Sequence, residues 1–263
     1  MEVKSVNKSS DFKPFRNYEI VFKDFKVENK ISEFEMFMNY INRIKKIERD
    51  SKLFEIGSGN GWFQILCHMN GINSTGLDIL PHNIEFAKKL AKENGYDINI
   101  LLGSIETTDI GTSKYDIIIA LSVFEHVKYW QTGLLNVYNA LKPGGVLLFI
   151  STNRFSLVSG ECKFPFYGWL PKKIRYRFRM WLHGKDVMLY NIDYNQFTFF
   201  HLKRFFKFIG FSKIFNIWEI VELNDFKDSS FLKKLMIKFL THSELLKKLS
   251  LWILPITFFI CIK

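Results

Sequence analysis

The chain has 263 residues, 48% of them hydrophobic, so it can bury the core of one α/β domain with extensions. Its three cysteines, Cys67, Cys162 and Cys261, are scattered without metal-ligand spacing, which argues against a disulfide framework and indicates a reduced, cytoplasmic protein. The first residues include no apolar segment, and we therefore expect no secretory signal.

Charge is distributed unevenly along the chain. Residues 1–150 hold 18 basic and 18 acidic residues, whereas residues 151–263 hold 19 basic and 8 acidic ones. The net charge of +11 therefore comes entirely from the second half. Such a surface attracts anionic lipids, acidic small molecules or nucleic acid, although a merely solvated basic face would give the same counts.

Apolar spacing predicts the first elements in chain order. Residues 31–48 repeat apolar side chains at helical intervals. Strand-like and helix-like segments then alternate from Lys52 to about Ile150, which predicts parallel strands joined by crossover helices.

The most informative segment is 53–63, LFEIGSGNGWF. An apolar strand ends beside an acid, three glycines alternate with small polar residues, and a new apolar stretch begins. Glycines let the backbone turn sharply and let a ligand approach closely. The spacing G-x-G-x-G differs from the G-x-G-x-x-G of dinucleotide-binding folds, and Glu55 suits a ligand with positive charge.

These residues resemble motif I of the class I S-adenosylmethionine (SAM) methyltransferases, of the type 11 or quinone-biosynthesis O-methyltransferase kind. Four further segments follow in that family's order: 75–78, 101–104, 115–122 and 141–149. The resemblance covers roughly residues 35–220. It implies an α/β fold with SAM as cofactor: a doubly wound, mostly parallel, seven-stranded Rossmann-like methyltransferase sheet, with an insertion after strand 5 and a C-terminal helical tail.

The resemblance implies cofactor roles for individual residues. Glu55 would attract the positive methionine end of SAM, and Asp78 would bind the ribose hydroxyls, with a helix N-cap as its alternative role. Ile79 would pack on the adenine. Ser104 stands where many members have an Asp for the adenine amino group, so its hydroxyl or the backbone N–H of Ile105 would serve instead. The predicted cofactor site is Glu55, Gly57, Ser58, Gly59, Gly61, Asp78, Ile79, Gly103, Ser104, Ile105, Leu121 and Ser122.

Glu125 and His126 follow the fourth predicted strand and are the candidate catalytic residues. His126 could take a proton from a hydroxyl nucleophile near neutral pH, and its alternative is a structural histidine at a helix start. The pair resembles the Glu-His of quinone-biosynthesis O-methyltransferases and small-RNA 2′-O-methyltransferases. Those families carry another Glu three residues earlier and can hold a divalent metal. Ser122 stands at that position here, so we expect no metal site.

The chain is predicted to divide into five segments. Residues 1–50 form an N-terminal extension with a helix, 51–152 the SAM-binding core, 153–196 a substrate-lid insertion, 197–228 the remainder of the sheet, and 229–263 a basic and apolar C-terminal tail. In the insertion, basic and aromatic residues alternate over 175–179. That run would fit single-stranded RNA, the phosphate of a lipid-linked or nucleotide-linked acceptor, a membrane, or a solvated amphipathic element.

Two predictions concern the end of the chain. Residues 217–223 are assigned to an antiparallel seventh strand. Residues 249–262 are almost wholly apolar, are flanked by lysines and contain Pro255. The run is shorter than a spanning helix, which favours an interfacial membrane anchor over a helix packed on the domain.

The sequence therefore predicts a SAM-dependent methyltransferase acting on a small molecule at a hydroxyl. The acceptor would be lipid-linked or presented at an anionic membrane surface, such as a quinone-like ring or a glycan precursor. A nucleic-acid (RNA) methyltransferase is the first alternative. A SAM-binding or lipid-binding protein without transferase activity is the second.

Overall fold

The structure is a computed structural model that describes residues 25–158, 164–183, 195–227 and 230–263. Most of the predicted N-terminal extension and parts of the insertion, including Cys162, lie outside these ranges.

Seven strands form one sheet in the order β3-β2-β1-β4-β5-β7-β6. Strands β1 to β5 pair in parallel, whereas β7 runs antiparallel to both β5 and β6. This architecture confirms the predicted seven-stranded, mostly parallel fold. The strands are β1 Lys52–Ile56, β2 Asn73–Asp78, β3 Ile100–Leu102, β4 Tyr115–Leu121, β5 Leu141–Thr152, β6 Lys213–Asn216 and β7 Ile256–Ile262.

Helices cover both faces of the sheet. None of those in the described ranges is long and apolar enough to cross a membrane. The helices are α1 Ile31–Ile44, α2 Trp62–Met69, α3 Pro81–Glu93, α4 Trp130–Ala140, α5 Lys172–His183, α6 Phe199–Ile209, α7 Ile217–Ile220, α8 Phe231–Thr241 and α9 Glu244–Ile253. Thr198 caps α6 and Gly210 ends it.

Alternate strand residues face two separate apolar cores. Ile117 and Ile119 of β4 contribute to the core that includes α1, α2 and α3. Ile118 between them contributes to the core that includes α4 and α6. The central strands are therefore buried on both sides, as expected when helices cover both faces of a parallel sheet.

The apolar run at 249–262 was predicted to be an interfacial membrane anchor, but its second half is a buried strand of the sheet. Helix α9 ends at Ile253, and after Pro255 the chain enters β7, which pairs with β5 over seven residues and with β6 over four. Phe258 and Ile260 face one core, and Phe259 faces the other. A strand buried on both faces is apolar throughout, which is why its composition resembled that of an anchor.

The prediction of a seventh strand at 217–223 is also wrong. Asn216 starts a helical turn there, because its side chain accepts a hydrogen bond from the Trp218 N–H at 2.9 Å. Glu219 closes the reciprocal capping box by accepting from the Asn216 N–H at 2.8 Å. The seventh strand comes instead from the segment predicted to be a tail.

Candidate functional site

The loop of residues 57–61 joins β1 to α2 at the carboxyl edge of the sheet. Gly57 and Gly59 have φ angles of +72° and +53°, in the left-handed region that favours glycine. A Cβ at Gly57 would lie 2.4 Å from Val123 Cγ2, whereas a Cβ at Gly59 would meet nothing within 4 Å. The loop is therefore packed on one side and open on the other, where a ligand has room to approach.

Asp78 ties this loop to the end of β2. Its Oδ2 accepts a hydrogen bond from the Gly59 N–H at 2.8 Å, and its Oδ1 accepts from the Leu80 N–H at 2.9 Å. Burial raises the pKa of Asp78, and these hydrogen bonds oppose that shift. Helix α3 begins at Pro81 without a side-chain cap, so Asp78 is not its N-cap.

Asn83 lies beside Asp78 and was not among the residues predicted for the site. Its Nδ2 donates to Asp78 Oδ1 at 3.2 Å. Its Oδ1 is buried and has no hydrogen-bond partner among the described residues. A buried acceptor without a partner beside a strand-end acid suits a ligand that brings hydroxyl donors.

The side chain of Ser58 turns away from the open side of the loop. It is buried, and its Oγ lies where a Cβ on Gly76 of β2 would be, 2.2 Å from that position. The Ser58 side chain is therefore not available to a ligand at the open side, which leaves only its backbone for the predicted cofactor contact. The Ser58 carbonyl accepts from the Gly61 N–H at 2.8 Å and closes the turn into α2.

Glu55 lies beneath the loop, inside the protein. Its Oε2 accepts from Gln64 Nε2 at 3.2 Å, while Gln64 Oε1 has no partner among the described residues. Burial, reinforced by the charge of Asp78, raises the pKa of Glu55 to about 8. This carboxyl is therefore mostly protonated at neutral pH, and a nearby positive charge would favour its ionised form.

Two apolar side chains are exposed beside Asp78. Ile79 is 50% exposed, and Leu102 at the end of β3 is 55% exposed. Leu102 pairs with Asp78 across the sheet, which places both apolar side chains next to the acid. Ile79 was predicted as the adenine contact. Leu102 was not predicted, because the sequence does not show which residue of β3 pairs with Asp78.

The turn after β3 is held by backbone and carboxylate contacts. The Gly103 N–H donates to the Asp78 carbonyl at 2.9 Å. Ser104 Oγ donates to Glu106 Oε2 at 3.0 Å, so the serine hydroxyl already has a partner. The Ile105 side chain is buried in the core, which leaves only its backbone for the predicted adenine role.

Strand β4 ends in a strained turn at the same edge. Leu121 pairs with Ile150 of β5, and the Ser122 N–H donates to the Ile150 carbonyl at 2.8 Å. Ser122 is exposed with a φ of +54°, an uncommon conformation for a residue other than glycine. Such positions cluster at functional sites, which supports a role for this turn.

Glu125 lies behind the turn and not in the open edge. It is 1% exposed, and its Oε2 accepts from Ser151 Oγ of β5 at 2.7 Å. A carboxylate in that position cannot contact an acceptor at the surface, so the structure does not support the predicted catalytic role of Glu125. The carboxylate instead connects the turn to β5.

His126 ends the 3₁₀ turn Phe124–His126 and is partly exposed. The end of the insertion supports this turn from outside. Asn195 donates from its backbone to the Glu125 carbonyl at 3.0 Å and from its side chain to the Val127 carbonyl at 2.7 Å. The insertion thus contacts the backbone on both sides of His126.

The basic and aromatic run at 175–179 lies in helix α5. Arg175 is buried, and its guanidinium lies 5.9 Å from the ring of Tyr167, which is also buried. Neither residue is open to an acceptor in this structure. No group of three or more His, Cys, Asp and Glu side chains placed to hold a metal occurs in the described ranges.

The comparisons with known proteins fit this geometry. Residues 54–149 match the family model described as "Methyltransferase domain". Residues 54–149 therefore resemble a class I SAM-dependent methyltransferase domain. Over 137 residues it is 35% identical to the ubiquinone biosynthesis O-methyltransferase of Rickettsia conorii, covering 50% of this chain and 45% of that protein. Over 135 residues it is 36% identical to the protein of that name from Rickettsia canadensis, covering 50% and 55%.

The methyltransferase match spans about half the length of these curated relatives. Among solved structures, the chain is similar to a SAM-dependent methyltransferase from Archaeoglobus fulgidus, with 19% identity and a TM-score of 0.55. That similarity covers 94% of this chain and all of the other and shows the shared fold.

The residues of this methyltransferase domain fit SAM. The open side of Gly59, the Asp78 carboxylate and the unpaired Asn83 Oδ1 lie together at the loop. Glu55 supplies a carboxyl beneath the loop, where the sulfonium charge of SAM would be favourable.

SAM affinity should rise with pH up to about 8. The folded domain holds the Glu55 proton more tightly than the unfolded chain does, because its pKa is about 8 against an ordinary 4.5. The stability that this group contributes is therefore present below the ordinary pKa and is lost as the pH rises through the folded one. A cationic ligand such as SAM favours the ionised form of Glu55, so its affinity for the protein should rise as the pH increases towards the folded pKa of about 8.

Calorimetric titrations between about pH 6 and pH 8 measure this effect. The wild type should gain roughly tenfold in affinity per pH unit at the lower end relative to Glu55→Gln, which cannot ionise. Titration of SAM itself affects both proteins equally. Parallel pH profiles for the two proteins would show that Glu55 does not interact with the charge of SAM.

Proposed function

We propose that this protein transfers the methyl group of SAM to a hydroxyl oxygen of a small-molecule acceptor. The observation that carries the proposal is the Asp78 carboxylate, which holds the glycine loop at 2.8 Å beside the exposed Ile79 and Leu102. The carboxylate can accept hydrogen bonds from ribose hydroxyls, and the apolar side chains can pack against a purine, as the binding of an adenosine requires. The names of the relatives support oxygen as the methylated atom.

Different residues of the chain would have different roles in this reaction. SAM supplies an activated methyl group when bound, so the protein has to hold it, exclude water and orient the acceptor. Asp78 and Asn83 would bind ribose hydroxyls, and Glu55 would favour the positive end. His126, in the turn after β4, would take the proton from the acceptor hydroxyl as the hydroxyl oxygen attacks the methyl group.

An apolar, lipid-linked or membrane-presented acceptor fits the surroundings best. Aromatic rings gather where β5 leaves the sheet: Phe155 lies 5.4 Å from Trp169 and 5.8 Å from Trp252 between ring centroids. A quinone-like ring or the lipid portion of a glycan precursor would pack against such rings.

RNA is the second candidate acceptor, because α5 carries five Lys or Arg residues and no acid. Phosphate contacts would make RNA binding fall steeply with salt, whereas an apolar acceptor would show little salt dependence. Production of S-adenosylhomocysteine (SAH) in the presence of an acceptor distinguishes either enzyme from a SAM-binding protein without transferase activity.

Replacing Asp78 with alanine should weaken SAM binding by about 1–3 kcal/mol, or roughly 5–150-fold in Kd, because polar groups lose their partner. Titration calorimetry measures the effect. Asp50→Ala, an exposed acid before β1, is the matched control and should leave affinity unchanged. Equal affinity of Asp78→Ala and wild type would remove Asp78 from the cofactor site.

A further inference from the structure

We infer that an apolar and basic surface at the carboxyl edge of the sheet docks this protein on an anionic lipid bilayer. The docking surface consists of Phe166, Trp169, Ile174, Trp181, Leu249 and Trp252. This inference rests on the proposed function, because a bilayer is the partner that would present a lipid-linked acceptor to the enzyme.

The docking surface is formed by two elements that the fold holds together. The buried Asn153, just beyond β5, donates from its Nδ2 to the carbonyls of Trp252 at 3.1 Å and Leu254 at 2.9 Å. These bonds fix the end of α9 at the point where β5 leaves the sheet. Phe155 then joins α9 to the insertion through its contacts with Trp252 and Trp169.

The docking surface and the proposed reaction site lie at the same edge of the sheet. Ser151 of β5 donates to Glu125 at 2.7 Å, beside His126. Two residues further on, Asn153 holds α9. A bilayer contacting α9 and the insertion would therefore face the edge where an acceptor has to enter.

The side chains of this surface have the chemistry of a membrane interface. Trp181 is 78% exposed and Leu249 is 53% exposed. Phe166 contacts Trp169, and Phe155 contacts both Trp169 and Trp252. Exposed apolar groups that lie together in this way are uncommon on soluble proteins unless they meet a partner. Tryptophan, with an apolar body and one polar N–H, is suited to the boundary between lipid and water.

Charge selects an anionic partner. Residues 164–183 contain five Lys or Arg residues and no Asp or Glu. Lys172, Lys173 and Arg177 are exposed on α5 beside Ile174, and Lys248 is exposed on α9 beside Leu249. Basic residues that flank an exposed apolar face favour anionic headgroups over neutral ones.

The aliphatic members of the surface favour a bilayer over RNA. Ile174 and Leu249 cannot stack on bases, although both are exposed among the basic residues. In a bilayer they would insert at the acyl boundary.

Sedimentation of the full chain with vesicles tests the inference. The wild type should bind vesicles of phosphatidylglycerol and phosphatidylcholine, and bind pure phosphatidylcholine much more weakly. The double variant Trp181→Ser/Leu249→Ser should lose about tenfold or more in partitioning. Lys172→Glu/Lys173→Glu should lose the preference for anionic vesicles.

Phe208→Ser is the matched control. Phe208 is 83% exposed near the end of α6, beside the start of β6 and thus at the opposite edge of the sheet. The inference is overturned if the wild type does not bind anionic vesicles, or if Phe208→Ser weakens vesicle binding as much as the double variant does. It is also overturned if the basic residues bind single-stranded RNA and not vesicles. SAM calorimetry on the same proteins separates the two proposals. A wild type that binds SAM but not anionic vesicles would contradict only the docking inference. A wild type that binds vesicles but not SAM would contradict only the proposed function.

Discussion

Replacing His126 with alanine should lower the rate of methyl transfer by about 10²–10⁴-fold and leave SAM affinity almost unchanged. His126 is partly exposed in the turn after β4, where it could reach an acceptor hydroxyl. Without it, the hydroxyl would have to lose its proton to water during attack. Single-turnover assays that follow SAH measure the effect once an acceptor is in hand.

The control for this prediction is His242→Ala, which removes an exposed histidine between α8 and α9. It should transfer methyl groups at the wild-type rate. Glu125→Gln should lower the rate less than His126→Ala does, because Glu125 supports the turn through Ser151 and does not reach the acceptor. Near-normal turnover by His126→Ala would mean that His126 is a structural residue.

Phe259→Ala should destabilise the protein by about 3–5 kcal/mol, the largest effect on stability that we expect from one substitution. Phe259 is fully buried in the middle of β7, stacked on Phe199 at 4.6 Å and in contact with Phe206 at 5.1 Å. The substitution opens a cavity between the sheet and α6. Urea denaturation measures the loss.

Phe208→Ala is the control for stability, since this ring is exposed and should change the free energy of unfolding only slightly. Deletion of residues 256–263 should prevent folding, because β7 lies between β5 and β6. A truncated protein that folds and binds SAM would contradict the placement of β7.

The part of the fold predicted correctly is encoded locally. The glycine loop and the acid that ends β2 each depend on a few neighbouring residues. Their backbone conformations are dictated by residue type, and the order of the segments along the chain then indicates the sheet.

The parts that were missed depend on long-range pairing. Strand β7 joins β5 from more than one hundred residues away in sequence, as in the pair Val146 and Ile262, and its apolar composition alone does not distinguish a strand from an anchor. The inward turn of Ser58 onto Gly76 and the burial of Glu125 against Ser151 likewise follow from contacts between strands. Residue type at one position carries no signal of such contacts.

A crystal structure of the protein with SAH tests the central claim most directly. We expect the ribose hydroxyls within hydrogen-bond distance of the Asp78 carboxylate and the purine against Ile79 and Leu102. The homocysteine end should lie over the glycine loop, on the open side of Gly59. SAH bound elsewhere on the protein, or no SAH in crystals grown at saturating concentration, would contradict the account.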